Sequence, residues 1–297
     1  MHKRRWNALK LKLVIEPRAP LLIKSGLVSP NPSLPDMQFV RTMTPAGETV
    51  FIPGSSLKGT FRSFTEKVLR TAKDDGACEP FPSSPGYCGR RLGNEENPAR
   101  VYRESCRACK IYGNTRLKGR LSFTDAFPDL QGGDEVKTET RYGVAISRLT
   151  NAVAVGPFDI EVLVQGRFRT SLVLENFEVW QLGLLALTLQ AINDGLVKLG
   201  FGKNRGFGEV SMTVEEAIVE MAKRPDLPGN AIWGVGAFVN GEERSDYGLQ
   251  ASDRLEDLPE GTETDLAVFV RRTYDRKAWE SIAEKAIASL TQILEAA

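Results

Sequence analysis

A chain of 297 residues, 41% hydrophobic and 26% charged, holds material for one large domain or two small ones, and none of its apolar runs approaches the roughly 20 residues of a membrane span. Its single histidine, His2, stands at the N-terminus, which excludes Ser-His-Asp and Cys-His catalysis and any reaction built on a core histidine base. The net charge of +1 hides an asymmetry: residues 213–297 carry 9 Lys and Arg against 17 Asp and Glu, a balance of −8, and residues 1–212 carry 30 against 21, or +9.

A basic body of this kind points to a polyanionic partner. Along the chain, MHKRRWNALKLKLVIEP opens basic and then alternates apolar and polar residues. That pattern reads as a strand over 8–17 rather than a signal peptide, and the expected location is the cytoplasm. After a Pro- and Ser-rich loop, FVRTMTPAGETVFIPG reads as a hairpin. Residues 52–63, IPGSSLKGTFRS, then give a Pro-Gly turn, two serines (Ser55 and Ser56) as helix caps, and a helix with the apolar stripe Leu57, Phe61, Phe64, Val68. Lys58 and Arg62 lie beside that stripe, one turn apart. A helix N-terminus already presents free N–H groups and a positive dipole end, so two added cations make an anion site.

Residues 71–112 lose all periodicity and contain every cysteine, which marks an insertion. Regular structure resumes at GRLSFTDAF, a strand ending near Asp125, to which a structural hydrogen-bonding role is assigned. A long polar-basic stretch follows, then IEVLVQGRFRTSLVLE, a strand broken at Gly166. FEVWQLGLLALTLQAINDGLVKL reads as a buried helix and feeds GFGKNRGFGEVSMTVEE, a glycine-rich turn leading into a strand. The order β, hairpin, α, insertion, β, β, α, β fits an α+β fold of the ferredoxin-like (RRM-like) split βαβ type. Beyond residue 222 the acidic segment supplies strands and an amphipathic helix from about 276 to 295. It would form either a small appendage or a cover for the sheet edge, with packing against an adjacent basic subunit as one expectation.

Cys78, Cys88, Cys106 and Cys109 follow the spacing C-x9-C-x17-C-x2-C within 32 residues. The terminal CxxC pair grips an ion from one turn, and four thiolates complete a structural zinc site with no open catalytic position. Arg90, Arg91, Arg107 and Lys110 of the insertion either touch a polyanionic partner or merely solvate the insertion. The loop GFGKNRGFG (200–208) follows a helix and precedes a strand, the reverse of a P-loop or a dinucleotide fingerprint, and lacks the Gly-Lys-Ser/Thr ending. Its glycines would let backbone N–H groups approach an anion, with Lys203 and Arg205 adding charge; the alternative is a tight helix-to-strand turn.

Four motifs in order, IPGSSLKGTFRS, CRACKIYGN before GRLSFTDA, ISRLTNA before EVLVQGRF, and LGFGKNRGFGEV after a buried helix, resemble the backbone subunits of type III CRISPR effector complexes, of the repeat-associated mysterious protein (RAMP) superfamily. The resemblance covers roughly residues 8–215. It implies a RAMP domain over 1–222, with a four-cysteine zinc insertion at 71–112 and a thumb hairpin at 140–160, followed by an acidic extension over 223–297. It further implies a cytoplasmic subunit that binds guide RNA (crRNA) by its backbone and cleaves complementary target RNA, beside other effector subunits and stacked copies or paralogues of itself. Ser55, Ser56, Lys58, Arg62, Lys203, Asn204 and Arg205 would contact guide phosphates, with Arg148 on the thumb, which wedges into the guide–target duplex. DMQFVR places Asp36 at the family's loop aspartate, the candidate catalytic residue, which would hold a partly hydrated Mg²⁺ or Mn²⁺ ion against a phosphate. Two alternatives stand beside this: a scaffold subunit that does not cut, and a stand-alone RAMP endoribonuclease that matures guide precursors.

Overall fold

The computed structural model describes residues 3–26, 35–45, 47–129 and 135–291. Alternation in NALKLKLVIEP builds β1 (Asn7–Pro17), which buries Leu9, Leu11, Leu13 and Ile15 and exposes Lys10 and Lys12. The expected hairpin is β2 (Arg41–Thr44) and β3 (Gly47–Val50), followed by α1 (Gly54–Ala72). The insertion folds into three short helices, α2 (Cys88–Arg91), α3 (Pro98–Glu104) and α4 (Arg107–Tyr112). Then come β4 (Leu121–Phe123), β5 (Phe127–Pro128), and the long pair β6 (Lys137–Ile146) and β7 (Val153–Gln165). The chain continues with β8 (Phe168–Glu175), α5 (Val179–Asn193) and β9 (Val210–Ala222).

β9, β1, β8 and β4 lie side by side, all antiparallel, with α1 and α5 packed against each other and the sheet. That is the split βαβ order, in which each helix crosses over between strands that are not neighbours. The acidic C-terminal part does not stand apart. It contributes β10 (Ile232–Trp233), α6 (Val235–Phe238), α7 (Gly241–Tyr247), β11 (Arg254–Leu255), β12 (Thr262–Leu266), β13 (Phe269–Asp275) and α8 (Arg276–Ala288). β13 pairs with β9 and β12 with β13, so the extension lengthens the sheet at its exposed edge. Of the two arrangements expected from sequence, it is the cover of the sheet edge.

α8 lies on α5, which explains why α5 is apolar all round: sheet, α1 and α8 leave it almost no solvent face. A second apolar cluster joins the insertion (Leu92, Ala99, Val101, Tyr102) to the extension (Val235, Val239, Tyr247, Leu249), with Leu117 between them. Each segment thereby covers apolar surface that the other cannot bury alone. No helix among the described residues is long and apolar enough to cross a membrane.

Candidate nucleic-acid interface and cysteine cluster

Helix α1 carries three different stripes. Its core side is Leu57, Phe61, Thr65 and Leu69, at spacings of four; Phe64 and Val68 of the expected stripe are only half-buried. The shift follows from α4, whose Tyr112 hydroxyl shares a 2.8 Å hydrogen bond with Thr65. The serines expected as caps stand inside the first turn instead. Pro53 is the N-cap residue and supplies no side-chain bond, and Asp125 accepts from Gly54 N–H at 2.8 Å. The hydrogen-bonding role expected for Asp125 is therefore to anchor the helix start.

Thr60, Ser63 and Lys67, at i, i+3 and i+7, form a second stripe and face the glycine-rich loop across a cleft of about 330 Å³. The opposite wall is Leu196, Val197, Lys198, Lys203 and Asn204. Burial, with Lys67 as like-charged neighbour, lowers the pKa of Lys203. Lys67, Lys198, Lys203 and Arg205 make no ion pair among the described residues. Cations held close together without carboxylates can receive an external anion. Sequence reading missed Lys67 and Lys198; the signal was the polar 60–63–67 spacing and a lysine just ahead of LGFGKN.

The glycine-rich loop is rigid at its base and open at its tip. Gly208 has φ +86°, and a Cβ there would stand 2.0 Å from Leu199 O, so no other residue closes this turn. Gly208 N–H donates to Pro20 O and Phe201 N–H to Leu22 O, which ties the loop to the segment after β1, and Lys203, Asn204 and Arg205 stay exposed.

Lys58 lies nine residues from Lys67, hence on roughly the opposite flank of the helix. It is half-buried, and burial together with Arg62 lowers its pKa. Arg62 faces away from the cleft. Its Nε donates to Glu66 at 2.8 Å, and its terminal nitrogens donate to Gly113 O at 3.2 Å and to Cys109 Sγ at 3.8 Å. Although burial disfavours the charge, the Glu66 carboxylate and the thiols outweigh this and raise the Arg62 pKa.

β6 and β7 form a two-stranded hairpin standing off the sheet. It exposes Tyr142, Val144, Ile146, Val153 and Val155, while Leu149 at its tip is 93% exposed. Arg148 is exposed beside it. At its foot, Glu161 accepts two hydrogen bonds from Arg41, at 2.7 and 2.5 Å, and one from Phe39 N–H. Burial works against the Glu161 charge, but these donors prevail and lower its pKa. The same foot holds Asp36, whose Oδ2 accepts from Asp159 N–H at 3.1 Å; Asp36 is exposed and half-buried Met37 pairs with Ile160.

The open face of the sheet is mostly polar and aliphatic. Lys10 and Lys12 of β1, Arg169, Ser171 and Val173 of β8, and Glu216, Ile218 and Glu220 of β9 point there; its aromatic rings lie toward the two margins, Phe127 of β5 beside Arg169 and stacked on Phe51, and Phe269 of β13 under Arg5. Several of its cations are paired: Lys12 with Glu216 at 2.7 Å, Arg271 with Glu220, and Arg169 with Asp129 and Glu215.

The four cysteines do converge, with all sulfurs within 4.8 Å of one another and the Cys78 and Cys109 sulfurs 3.6 Å apart. A tetrahedral ion with metal–sulfur bonds of about 2.3 Å needs sulfurs about 3.8 Å apart, so the donor set fits zinc. Backbone N–H groups of Cys106 and Cys109 donate to the sulfurs of Cys88 and Cys106. Hydrogen bonding from Cys106 and Cys109 draws Cys78 down to about 7 and Cys88 lower still, while its neighbours push Cys109 up. Among the described residues this is the one group of three or more side chains placed to hold a metal. Of the other insertion cations, Arg90 donates to Ser83 O, and Lys110 stands 5.1 Å over the Tyr102 ring.

The antiparallel split βαβ sheet, with a cleft on its helical side lined by lysines that make no ion pair among the described residues, defines an α+β protein with a basic cleft. A family model described as the RAMP superfamily matches residues 14–211, more than half of the chain, and the protein belongs to that superfamily. RAMP proteins bind RNA and work in multi-subunit CRISPR complexes, and some are endoribonucleases. No curated protein matches the chain.

Proposed function

We propose that the protein is a backbone subunit of a type III CRISPR effector complex in the cytoplasm, one that binds guide RNA along its phosphates and cuts complementary target RNA. The observation that carries this reading is the cleft where Lys67, Lys198 and Lys203 meet without counter-ions on a RAMP scaffold. Asn204 and Arg205 extend it at the loop tip, and Ser55, Ser56 and Lys58 form a separate contact at the start of α1. Arg62, with its donors on Glu66, Gly113 and Cys109, is left out of the RNA face. In this reading residues 140–160 are the thumb, whose exposed apolar side chains and Arg148 enter the guide–target duplex. The partners are guide and target RNA, other effector subunits and stacked copies or paralogues. The RAMP domain spans 1–222, the zinc insertion 71–112, and the acidic extension 223–297.

For cleavage, Asp36 orients or deprotonates a ribose 2′-OH, whose oxygen attacks the adjacent phosphorus. The P–O5′ bond breaks, leaving a cyclic phosphate and a free 5′-OH. An Mg²⁺ or Mn²⁺ ion, with Asp36 as a protein ligand, would supply charge neutralisation at that phosphate. A non-cutting scaffold is the second reading, favoured by one observation: the Asp36 carboxylate already serves the Asp159 N–H, as a purely structural loop aspartate does.

The test is guide RNA binding measured against salt. Lys67→Ala, Lys198→Ala or Lys203→Ala should each weaken binding for every sequence alike and lower the salt slope by roughly one counter-ion. Unchanged affinity and slope in all three variants would remove the cleft from the RNA path.

A further inference from the structure

Arg62 is only half-exposed, yet it turns from solvent toward sulfur. A second guanidinium does the same at another cysteine: Arg91, at the end of α2, reaches Cys88 Sγ at 3.8 Å and also donates to Glu104 O. The two arginines come from different elements and address different cysteines, and Cys88 and Cys109 are the two most buried of the four.

Charge explains why two are needed. A divalent ion with four thiolates carries a net charge of −2, and in a half-buried site that charge is costly unless cations or donors face it. Two guanidiniums supply +2 and direct N–H groups at the sulfurs. Arg62 does not act alone on its helix. Glu66 lies between Arg62 and Arg70, at 2.8 and 3.6 Å, and Arg70 donates to Cys78 O at 2.6 Å. The stripe Arg62–Glu66–Arg70, four residues apart at each step, therefore forms the seam between α1 and the thiol cluster, while the 60–63–67 stripe faces the RNA cleft.

We infer that Arg62 and Arg91 are the counter-ions of a closed tetrathiolate zinc centre, and that Arg62 thereby fixes α1, the wall of the RNA cleft, to the metal. This rests on the reading of the cysteines as a zinc site. Arg62 is a positioning residue for the metal and not an RNA ligand.

The experiment compares the purified full chain with its Arg62→Gln, Arg91→Gln, Arg70→Gln and Lys203→Ala variants. Zinc loss to a competing chelator is measured for each, as is the sulfur-to-cobalt charge-transfer band after Co²⁺ replacement. Removing a neighbour that hydrogen-bonds a metal ligand costs about 10–100-fold in metal affinity. Arg62→Gln and Arg91→Gln should each weaken zinc retention by that amount and shift the band, because each frees electron density on one sulfur. Arg70→Gln, which touches a carbonyl, should leave the band in place, and Lys203→Ala should leave both readouts unchanged. Guide RNA binding by Arg62→Gln, with zinc kept saturating, should retain the wild-type salt slope.

Wild-type zinc retention in Arg62→Gln, or a salt slope lowered by one counter-ion, overturns the inference. Should Arg62→Gln fail to fold, Arg91→Gln decides by the same zinc and cobalt measurements. Absence of zinc from the wild-type chain would sink the metal reading itself, a result distinct from zinc bound equally well by all variants.

Discussion

Asp36 sits where the loop before β2 meets the foot of the β6–β7 hairpin, its carboxylate on the Asp159 N–H and its neighbours locked by the Arg41–Glu161 pair. A single positioned charge of this kind typically accounts for a hundredfold or more in rate. Asp36→Ala should therefore retain guide loading and target affinity while slowing cleavage of bound target RNA about a hundredfold or more. Cleavage by the assembled complex at the native rate would leave Asp36 as a loop anchor alone. The residue types around this site were legible in DMQFVR, because a motif names side chains. Their partners were not: Glu161 lies 120 residues beyond Arg41, and nothing local in the sequence announces that pairing. Arg62 shows the same limit. Its place one turn after Lys58 was readable, but which flank of the helix meets the cysteines depends on how residues 73–112 return to α1.

Element identity was the most legible level, since β1, α1 and α5 each carry a clean period or an unbroken apolar run. What period alone could not supply was the second side of α5. An all-apolar helix demands cover on every face, yet the covering element, α8, comes more than 80 residues later. Gly183 marks the contact: a Cβ there would meet Ala286 O at 2.4 Å. Two effects oppose each other in Gly183→Ala. Helix propensity favours alanine by about 1 kcal/mol, whereas forcing apart a packed helix pair costs about 1–3 kcal/mol. The packing term should prevail, giving a variant that unfolds at lower temperature and lower denaturant midpoint than the parent. A more stable variant would mean that α8 does not approach α5 this closely.

At the scale of the whole molecule, the charge asymmetry has an internal use. Glu216 and Glu220 of β9 neutralise Lys12, Arg5 and Arg271 on the sheet, and Asp265 and Glu263 of β12 pair with Lys223 and Arg272. The acidic C-terminal third thus supplies counter-charge to Arg5 and Lys12 as well as to its own cations, while the cleft lysines make no ion pair among the described residues. In the function proposed above, a polyanion is then drawn to the helical side.

The insertion and the extension also share a buried polar knot at the start of α5. Tyr102 donates to Glu178, Gln181 Nε2 donates to the Tyr102 hydroxyl at 3.2 Å, and Arg120 lies 3.8 Å from Glu178 and 4.1 Å from the Tyr102 ring centroid. On its other side Asp253, from the extension, accepts Val179 N–H at 2.8 Å and Gly236 N–H at 3.0 Å. Burial, then the nearby Glu178 charge, raise Asp253 to about 7 against these donors and Arg120. In the unfolded chain an aspartate titrates near 3.9. Between those values the folded protein holds a proton that the unfolded chain has released, so stability must fall as pH rises. The Asp253 contribution is fully present below about pH 4, declines with a slope of up to about 1.4 kcal/mol per pH unit, and levels off above about pH 7. Asp253→Asn abolishes that titration, though its amide can serve only one of the two N–H donors. Denaturant unfolding of parent and variant from pH 5 to pH 8 should show a stability difference that shrinks as pH rises; a difference constant across that window would place the titrating proton elsewhere in the knot.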